Sequence, residues 1–517
     1  MKKIIGRILI VLPAVLLQIL WYVAVIMLLN KWVGGNLGII LRAVFTVLGV
    51  LFVIYLVSKR DESSYKMLWV IVILALPILG AMLYLTLGNK KTGKKLSENL
   101  EKASKNLLGD NDATEKGRSQ NDMIINKIKE EDMRLGQTLQ HLTESTRFPI
   151  HINGTSKYYP FGEDMFADML VDLKKAEKYV YIEYFIIENG KFWDSLVEIL
   201  QDKASEGVDV RVMYDDLGSI GTYSAKDITE LQKKGIKCIA FNPFFLIKSQ
   251  LNNRDHRKIM VIDGKVAYSG GVNLADEYIN EVEKFGVWKD IGFRITGTAV
   301  QSYTYMFAEF WEAFSKEPVP KKMLVKSGYE PASDDSNGYI LPYYDSPMRD
   351  EPSSNVLFTE LLSMATDYIW FYTPYLMLGD ALNDAFIRAA KRGVDVRIIM
   401  PGIPDKKMVF RLGRSYYHDL LEAGVKIYEY TPGFVHAKAV IMDDKLCGIG
   451  TVNLDYRSLF LHFECFSLFY KADIIEELKK DYLESLKKSK QQSLEDVKHG
   501  TMGMLLDGVL RIAAPLL

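Results

Sequence analysis

Two stretches of the sequence repeat a histidine, a lysine, an aspartate and an asparagine at matching intervals. Residues 252–273 read NNRDHRKIMVIDGKVAYSGGVN, and residues 434–453 read FVHAKAVIMDDKLCGIGTVN. Each copy has His-x-Lys, four more residues, an aspartate, six more residues and then a glycine three places before an asparagine. The residues that could do chemistry are His256, Lys258, Asp263 and Asn273 in the first copy, and His436, Lys438, Asp443 and Asn453 in the second.

The spacing within each copy predicts a strand, a tight turn and a returning strand. Residues two apart on a strand point to the same side, so we expect His256 and Lys258 to share a face. The apolar run 259–262 is typical of a buried strand, and the aspartate and glycine that follow it are typical of a hairpin turn. The returning strand then brings an asparagine beside the same face. At their turns, Asp263 and Asp443 are expected to support the structure rather than to transfer protons.

An imidazole, an ammonium and an amide that converge in this way suit a phosphate group. Lysine and asparagine supply positive charge and hydrogen-bond donors for the non-bridging oxygens, and histidine supplies a nucleophile or an acid. Because the motif occurs twice, the two histidines could lie on opposite sides of one phosphorus atom, one neutral and nucleophilic and the other protonated and acidic. Such a site requires neither a metal nor another cofactor. The sequence shows no carboxylate cluster suited to Mg²⁺, and its three scattered cysteines do not suggest a zinc site or a disulfide framework.

The paired motifs resemble the HKD motifs of the phospholipase D superfamily. Four further runs are similar to those of its bacterial cardiolipin synthases: NNRDHRK before the first motif, Thr-Pro-Tyr at 373–375, TPGFVHAK at 431–438 and GTVNLDYRSLFLHFE at 450–464. The similarity extends from about residue 37 to the C-terminus. It implies two phospholipase D-like domains that share one active site and act on a phospholipid, phosphatidylglycerol, at the membrane.

The same resemblance implies roles for individual residues. It favours His256 as the nucleophile and His436 as the general acid and base. It also implies that Asp290, in Trp-Lys-Asp, and Glu464, in His-Phe-Glu, orient the two histidines. The sequence departs from the family at His462, where asparagine is usual. We interpret His462 as a bystander, because Glu464 and the rest of the signature are present.

The elements around the motifs are themselves duplicated. An apolar run at 179–187, a helical pattern at 192–204 and the run GVDVR at 207–211 precede the first motif. The same order recurs at 368–376, 382–391 and 393–397 before the second. Alternating strands and helices predict two α/β domains with mostly parallel sheets. Because each copy holds half of a site, we expect the copies to pack about a pseudo-twofold axis that brings the two histidines together.

The first 92 residues are predicted to form a membrane region of two to three helices. Apolar segments at 8–29, 37–57 and 67–87 are each close to the ~20 residues that a helix needs to cross a bilayer. They predict N-terminal transmembrane helices and a multi-pass protein of the bacterial cell membrane. A cleaved signal peptide does not fit, because it would have a shorter apolar core and no following spans.

The remaining boundaries follow composition and the repeat. Residues 93–147 are charged and helix-prone, and are predicted to form a linker of solvated helices without a chemical role. The two phospholipase D-like domains are assigned to 148–328 and 329–500. Residues 501–517 form an amphipathic segment, which would either rest on the bilayer surface or pack on the protein.

These observations favour a membrane-bound cardiolipin synthase that works through a phosphatidyl-histidine intermediate. Local motifs do not distinguish it from a phospholipase D-type hydrolase or from a phosphatidyltransferase that uses another alcohol. A membrane-tethered nuclease is less favoured, because a net charge of −1 provides no general attraction for nucleic acid. A catalytically inactive lipid-binding protein would have no need of two complete motifs.

Overall fold

The computed structural model describes residues 36–59, 61–88, 94–108, 111–243, 252–315, 317–324, 337–498 and 500–516. The chain divides into two compact units, one of residues 1–90 with 508–517 and one of residues 91–507. The motifs all lie in the second unit.

Three helices pack against one another in the N-terminal unit. Their apolar sequences leave little to distinguish a buried face from an exposed one. Trp69, Ile73 and Tyr84 are buried among them, while Leu51 and Ile54 are exposed. The helices are α1 (Asn36–Ser58), α2 (Ser63–Ala75) and α3 (Pro77–Leu87).

The apolar segments of the sequence correspond only in part to these helices. Residues 8–29 lie outside the described residues. Residues 37–57 fall within α1, and residues 67–87 are divided between α2 and α3, since the helix breaks at Leu76 before Pro77. In the part of the chain that the structure describes, no helix is both long enough and apolar enough to cross a membrane.

The second unit begins with three further helices: α4 (Lys94–Leu108), α5 (Asn111–Glu131) and α6 (Met133–Thr146). The prediction of a solvated linker is wrong for them. Helix α4 packs along the helix Val300–Phe314, and α6 packs on the helix Ser353–Met364. The loosely spaced apolar residues of this stretch form one buried face, because they meet apolar faces of helices distant in sequence. Its members include Leu100, Ile128, Leu135, Leu139 and Leu142.

The first repeat is an α/β domain built on a seven-stranded sheet, and its elements alternate as the sequence predicts. Its strands, preceded by one that joins the other sheet, are β1 (His151–Ile152), β2 (Ser156–Tyr159), β3 (Tyr179–Tyr184), β4 (Asp209–Asp215), β5 (Lys237–Phe241), β6 (Lys258–Ile262), β7 (Val266–Gly270), β8 (Val287–Lys289) and β9 (Gly292–Thr296). Its helices are α7 (Gly162–Leu173), α8 (Lys191–Ser205), α9 (Ala225–Lys233), the 3₁₀ helix Asp276–Ile279, α10 (Val300–Phe314) and α11 (Lys321–Leu324).

The second repeat is built on a nine-stranded sheet that includes β1, while β14 of this repeat pairs with β8 in a separate two-stranded sheet. Its strands are β10 (Tyr339–Asp345), β11 (Tyr368–Tyr372), β12 (Asp395–Pro401), β13 (Lys426–Tyr430), β14 (Gly433–Val435), β15 (Ala439–Met442), β16 (Leu446–Gly450), β17 (Glu464–Tyr470) and β18 (Ser489–Gln491). Its helices, with those that follow it in the chain, are α12 (Ser353–Met364), α13 (Asp380–Lys391), α14 (Lys407–Ser415), α15 (Tyr417–Glu422), α16 (Tyr456–Phe460), α17 (Ile474–Lys487), α18 (Thr501–Ala513) and the 3₁₀ helix Ala514–Leu516.

The strand orders confirm the duplication. The first sheet runs β2-β9-β7-β6-β3-β4-β5, and the second runs β1-β10-β17-β16-β15-β11-β12-β13-β18. Six consecutive positions correspond, from β9 to β5 in one sheet and from β17 to β13 in the other. The prediction of mostly parallel sheets is wrong, because within the two large sheets the described strands are parallel at β3-β4-β5 and β11-β12-β13 and antiparallel elsewhere. The hairpins that carry the motifs return by tight turns, and a tight turn can join only antiparallel neighbours.

Candidate active site

His256 lies just before β6 and meets the other repeat through its backbone and its ring. Its N–H donates to the Phe463 carbonyl at 2.9 Å, and the Phe463 N–H donates back to the Arg254 carbonyl at 2.9 Å. This pairing brings Glu464, the first residue of β17, beside the imidazole. The distance from His256 Nδ1 to Glu464 Oε2 is 2.8 Å, although the two residues are 208 positions apart.

His436 has the symmetry-related environment. Strand β14, which leads into it, pairs in parallel with β8, and the His436 N–H donates to the Lys289 carbonyl at 2.7 Å. Asp290 follows directly, and its Oδ2 lies 2.6 Å from His436 Nδ1. Each histidine is therefore held by the carboxylate of the opposite repeat. Since Nδ1 is engaged in both rings, Nε2 is the nitrogen available for chemistry.

The two motif lysines lie on the same face as their histidines, as two-residue spacing on an extended chain requires. Lys258 Nζ donates to the His256 carbonyl at 2.7 Å, and Lys438 Nζ donates to the His436 carbonyl. Both ammonium groups are buried, and burial lowers the pKa of Lys258 to about 8 and that of Lys438 to about 7. An ammonium has three donors, so each retains protons for an anionic oxygen.

Burial and the neighbouring lysines keep both imidazoles neutral. The pKa of His256 is well below its usual value because of burial first and then the charges of Lys258 and Lys438. Burial and Lys438 also lower the pKa of His436, to about 4, while Asp290 acts in the opposite direction. An anionic substrate between the lysines would favour the protonated imidazole on electrostatic grounds.

The two orienting carboxylates differ in their surroundings. Glu464 accepts hydrogen bonds from the hydroxyls of Thr451 and Ser458, and burial nevertheless raises its pKa to about 8. Burial also acts on Asp290, but His436 and then Lys438 outweigh it, so that the pKa of Asp290 is lowered. Asp290 therefore stays ionised beside His436 and can stabilise a proton on that ring when one is bound.

The motif asparagines are buried close to the site and differ in their bonding. Asn273 Oδ1 accepts from the Ile186 N–H at 3.1 Å, and its Nδ2 donates to the Tyr278 hydroxyl at 2.8 Å. Asn453 Oδ1 is buried without a hydrogen-bond partner among the described residues. Part of the Asn273 amide is therefore committed to the protein, and Asn453 keeps more of its capacity for a ligand.

Asp263 and Asp443 lie in the hairpin turns rather than beside the imidazoles. Both have positive φ angles, 54° and 51°, which short turns require and which aspartate tolerates better than most residues. The Asp263 carboxylate accepts from the N–H groups of residues 177–179 at 2.7–2.9 Å. That of Asp443 does the same for residues 366–368 at 2.8–3.0 Å. Each aspartate ties its hairpin to the start of the neighbouring strand.

Aromatic rings around the histidines were not identified from the sequence. Phe185 lies against His256, with ring centroids 4.8 Å apart. The imidazole of His436 is surrounded by Tyr278, Trp288 and Phe434, at 5.3, 5.6 and 6.0 Å. Phe185 belongs to the apolar run at 179–187, which is typical of a buried strand, so nothing in the sequence distinguishes it from an ordinary core residue. Tyr278 reaches the site only because a short 3₁₀ helix follows Asn273.

His462 lies near His256, with ring centroids 6.2 Å apart. Its Nε2 is buried and has no hydrogen-bond partner in the described part of the chain. Burial and the charges of Arg457 and Arg254 keep its pKa well below the usual value, so the ring is neutral. In its proton-free form this nitrogen would be an acceptor rather than a source of charge.

The lead-in to the first motif is held by a buried ion pair. Arg254 donates to Asp215 through Nε at 3.0 Å and through Nη2 at 2.9 Å, and the Asp255 N–H donates to the same carboxylate at 2.9 Å. Asp215 ends β4, so this pair fixes the segment that enters His256. Within the described residues, no group of three or more histidine, cysteine, aspartate or glutamate side chains is arranged to hold a metal ion.

Comparison with known proteins gives consistent similarities. A family model described as "Cardiolipin synthase, PLD-like domain" matches residues 169–311 and 358–486, and one described as "Phospholipase_D-nuclease N-terminal" matches residues 44–89. A protein of Streptococcus mutans is 43% identical over 429 residues, covering 83% of this chain and 91% of its own. A cardiolipin synthase of Alkalihalophilus pseudofirmus is 32% identical over 454 residues, 87% of each chain.

A solved structure shares the fold at low sequence identity. The phosphatidylserine synthase of Haemophilus influenzae superposes with a TM-score of 0.56 at 15% identity, covering 74% of this chain and 98% of its own. The likeness extends over nearly the whole of that protein and therefore includes both repeats.

Proposed function

Because the chain belongs to the family of cardiolipin synthases with phospholipase D-like domains, we propose that it is a phosphatidyltransferase that makes cardiolipin. It transfers the phosphatidyl group of one phosphatidylglycerol to the terminal hydroxyl of a second, and glycerol is released. One observation carries this proposal: two histidines from two repeats, each held at Nδ1 by the other repeat's carboxylate, stand with two buried lysines in one site.

The first step forms a covalent intermediate. His256 Nε2 attacks phosphorus while neutral, and its depressed pKa supports that role. The bond between phosphorus and the headgroup glycerol oxygen breaks, and that oxygen takes a proton from His436. Asp290, which keeps the lower pKa of the two carboxylates, favours a proton on His436. Lys258 and Lys438 stabilise the charge on the equatorial oxygens as it shifts.

The second step reverses the first with a new alcohol. His436, now neutral, takes the proton of the terminal hydroxyl of a second phosphatidylglycerol. The alkoxide oxygen attacks phosphorus, the bond to His256 breaks, and both histidines return to their starting state. Asn453, whose amide oxygen has no protein partner in the described structure, is proposed to bind substrate together with Asn273.

The N-terminal unit is proposed to anchor the enzyme in the bacterial cell membrane. Its three described helices are apolar, they expose large side chains such as Leu51 and Ile54, and a family model for N-terminal segments matches residues 44–89. Together with the segment at 8–29, these features support a multi-pass protein whose catalytic unit works on lipids of the same bilayer.

A product assay tests the function directly. The purified full-length chain, in mixed micelles of detergent and lipid, receives phosphatidylglycerol as the only phospholipid, and the products are resolved by mass. We expect cardiolipin and glycerol in equal amounts. The matched control is the double variant His256→Ala and His436→Ala, which should form neither.

The other outcomes are equally informative. Phosphatidic acid without cardiolipin would mean that water resolves the intermediate, and the enzyme would be a hydrolase. If product forms only when another alcohol such as serine is added, the enzyme is a phosphatidyltransferase with a different acceptor.

A further inference from the structure

A loop beside the candidate active site is hydrogen-bonded to β14, the strand that leads into His436. The loop, residues 402–406, joins β12 to α14, and the N–H groups of Gly402 and Ile403 donate to the Gly433 carbonyl at 3.2 and 3.1 Å. Gly433 opens β14, which ends one residue before His436. The loop therefore begins beside the backbone that carries the proposed general acid.

Asp405, in the middle of this loop, is hydrogen-bonded to an aromatic residue whose ring lies near Phe434. The Tyr375 hydroxyl donates to Asp405 Oδ2 at 2.6 Å. The Tyr375 ring lies 6.5 Å from that of Phe434, which lies 6.0 Å from His436. This hydrogen bond holds Asp405 toward the site. The side chains on either side of Asp405 in the sequence remain on the solvent side of the loop.

Those flanking side chains are apolar or basic, and they are exposed. Met408 is 62% exposed, Ile403 is exposed, and Lys406 and Lys407 between them are exposed as well. The loop before β8 continues this surface, because Ile403 Cδ1 lies 3.0 Å from the position that a Cβ on Gly286 would occupy. We call four exposed side chains of these two segments the apolar rim: Val282 in the loop before β8, Val287 at the start of β8, Ile403 in the loop after β12 and Met408 in the first turn of α14.

Helix α18 extends this exposed apolar surface. Helix α14 begins at Lys407, and one turn later Arg411 Nε donates to Asp507 Oδ1 of α18 at 3.0 Å. The residues of α18 just before Asp507 are apolar and exposed: Met502, Met504, Leu505 and Leu506. The apolar character therefore continues from the loop along the adjoining helix.

Exposed apolar side chains that cluster in this way mark an interaction surface, whereas single ones are ordinary. The two lysines indicate the partner, because surfaces that enter a bilayer combine apolar side chains with basic ones that bind anionic headgroups. We propose that the apolar rim inserts into the surface of an anionic phospholipid bilayer beside His436, with Lys406 and Lys407 on the headgroups. The phosphodiester would then reach the site while its acyl chains stay in the membrane. The identity of the substrate rests on the proposed function, whereas the proposed insertion into the bilayer does not.

Met133 provides a matched control position. It is 57% exposed, close to the value for Met408. Glu131, two residues earlier, binds Lys471 just past the end of β17, and Glu464 opens that strand at the active site. At about 3.3 Å per residue, Met133 lies roughly 20 Å along the sheet from the site.

Fluorescence quenching tests the insertion without requiring turnover. Full-length Met408→Cys and Met133→Cys proteins are labelled with bimane, for which the three buried native cysteines do not compete. They are reconstituted into vesicles of phosphatidylglycerol and phosphatidylcholine with lipids brominated on the acyl chains. We expect a blue-shifted emission at position 408 and quenching at least about twofold stronger than at position 133. Equal quenching at the two positions, or none at position 408, overturns the proposal.

An activity comparison gives a second measure. Met408→Asp should lower the rate on bilayer phosphatidylglycerol by about tenfold and leave the rate on a short-chain, monomeric phosphatidylglycerol within about twofold, because a buried charge opposes insertion. Equal losses of activity on both substrates would contradict the proposed insertion of the apolar rim. Quenching without turnover in the unsubstituted labelled protein would reject the proposed function alone, and turnover without the quenching contrast would reject the rim alone.

Discussion

The two candidate catalytic histidines are equivalent by motif and differ by environment. His256 faces a glutamate whose pKa burial raises to about 8, whereas His436 faces an aspartate whose pKa is lowered. A lowered carboxylate pKa favours a protonated partner, and a protonated histidine is what the leaving group needs. The resemblance to the family favours His256 as the nucleophile and His436 as the acid, and the ionised Asp290 beside His436 supports that assignment.

An activated substrate separates the two roles. A phosphatidyl ester of 4-nitrophenol has a leaving group that needs no proton. We therefore expect His436→Asn to release a burst of about one equivalent of nitrophenolate and then to stall, and His256→Asn to release none. The measurement is pre-steady-state absorbance, with mass spectrometry for a phosphatidyl adduct on His256. A burst from His256→Asn instead would reverse the assignment.

The buried lysines predict the alkaline side of the pH profile. Each ammonium binds phosphate only while protonated, and burial lowers the pKa of Lys438 to about 7 and of Lys258 to about 8. We expect kcat/KM, which reports the free enzyme, to show a decline as the pH rises through 7 to 8, in addition to the fall that follows deprotonation of His436, whose pKa is about 4. The depressed pKa of His256 places any acid limb below pH 6.5.

Lys438→Arg provides the check on this assignment, because a guanidinium stays protonated throughout that range. The variant should have lower activity overall and a shallower alkaline decline than the unsubstituted enzyme. An unchanged alkaline limb would mean that another group titrates there.

One position of the repeated motif differs between the copies, and the difference has a steric cause. A Cβ on Gly271 would lie 2.1 Å from Asp290 Oδ1, whereas Thr451, at the same place in the second copy, donates its hydroxyl to Glu464. Gly271→Ala should therefore displace Asp290 and lower kcat/KM by about 10²-fold or more. Thr451→Ala removes the hydroxyl that donates to Glu464 and accepts from the Cys465 N–H, and should cost about tenfold. Similar losses in the two variants would contradict the steric explanation.

At the scale of elements, each motif hairpin is fastened by its own aspartate. Asp263 accepts three backbone N–H groups, and removing it would leave buried donors without partners. We expect Asp263→Ala to cost about 3 kcal/mol of stability, visible as a thermal midpoint lower by about 5 °C in detergent, because each orphaned donor carries a desolvation penalty.

The matched control is Asp384→Ala, since Asp384 is exposed on α13 and makes only a 3.7 Å surface pair with Arg388. It should change stability by less than about 0.5 kcal/mol. If Asp263→Ala instead removed activity at unchanged stability, Asp263 would have a role in the chemistry.

For helices α4–α6 the sequence predicted the secondary structure correctly but not the packing. Their helical character follows from charge and spacing, but their buried face follows from contacts with α10 and α12, which begin roughly 200 residues later in the chain. Asn99 Nδ2, for example, donates to the Ala313 carbonyl at 3.0 Å. The stretch is part of the body of the catalytic unit.

At the scale of the whole molecule, the active site depends on how the two repeats dock. Lys289 Nζ, fully buried in the first repeat, donates to both oxygens of Asp481 on α17 of the second at 2.8 Å. The same Asp481 accepts from the Tyr158 hydroxyl at 2.7 Å. Because the Lys289 carbonyl accepts the His436 N–H, this pair lies directly behind one of the two candidate catalytic histidines.

Breaking this pair should loosen the docking. Asp481→Ala leaves a buried ammonium without its partner, and we expect a loss of about 3–5 kcal/mol in stability together with a loss of activity. The double variant Lys289→Met with Asp481→Leu removes both charges and should recover much of the stability, measured by thermal unfolding. If the double variant is no more stable than Asp481→Ala alone, the cost does not come from the unpaired charge.

The sequence by itself determined the features that depend on local spacing. The duplicated motifs, the hairpin turns at Asp263 and Asp443 and the order of strands and helices can be read because each involves residues close together in the chain. The duplication, seen again in the two strand orders, was predictable for this reason. Resemblance to a family added Asp290 and Glu464 as orienting residues without saying which histidine each one holds.

Only the tertiary structure decided what joins distant parts of the chain. It pairs His256 with Glu464 across 208 positions and His436 with Asp290 across 146. It also surrounds His436 with aromatic rings, packs the supposed linker into the core and mixes parallel with antiparallel strands. Such contacts depend on which surfaces are complementary after the elements have formed, and spacing along the chain carries no record of that complementarity.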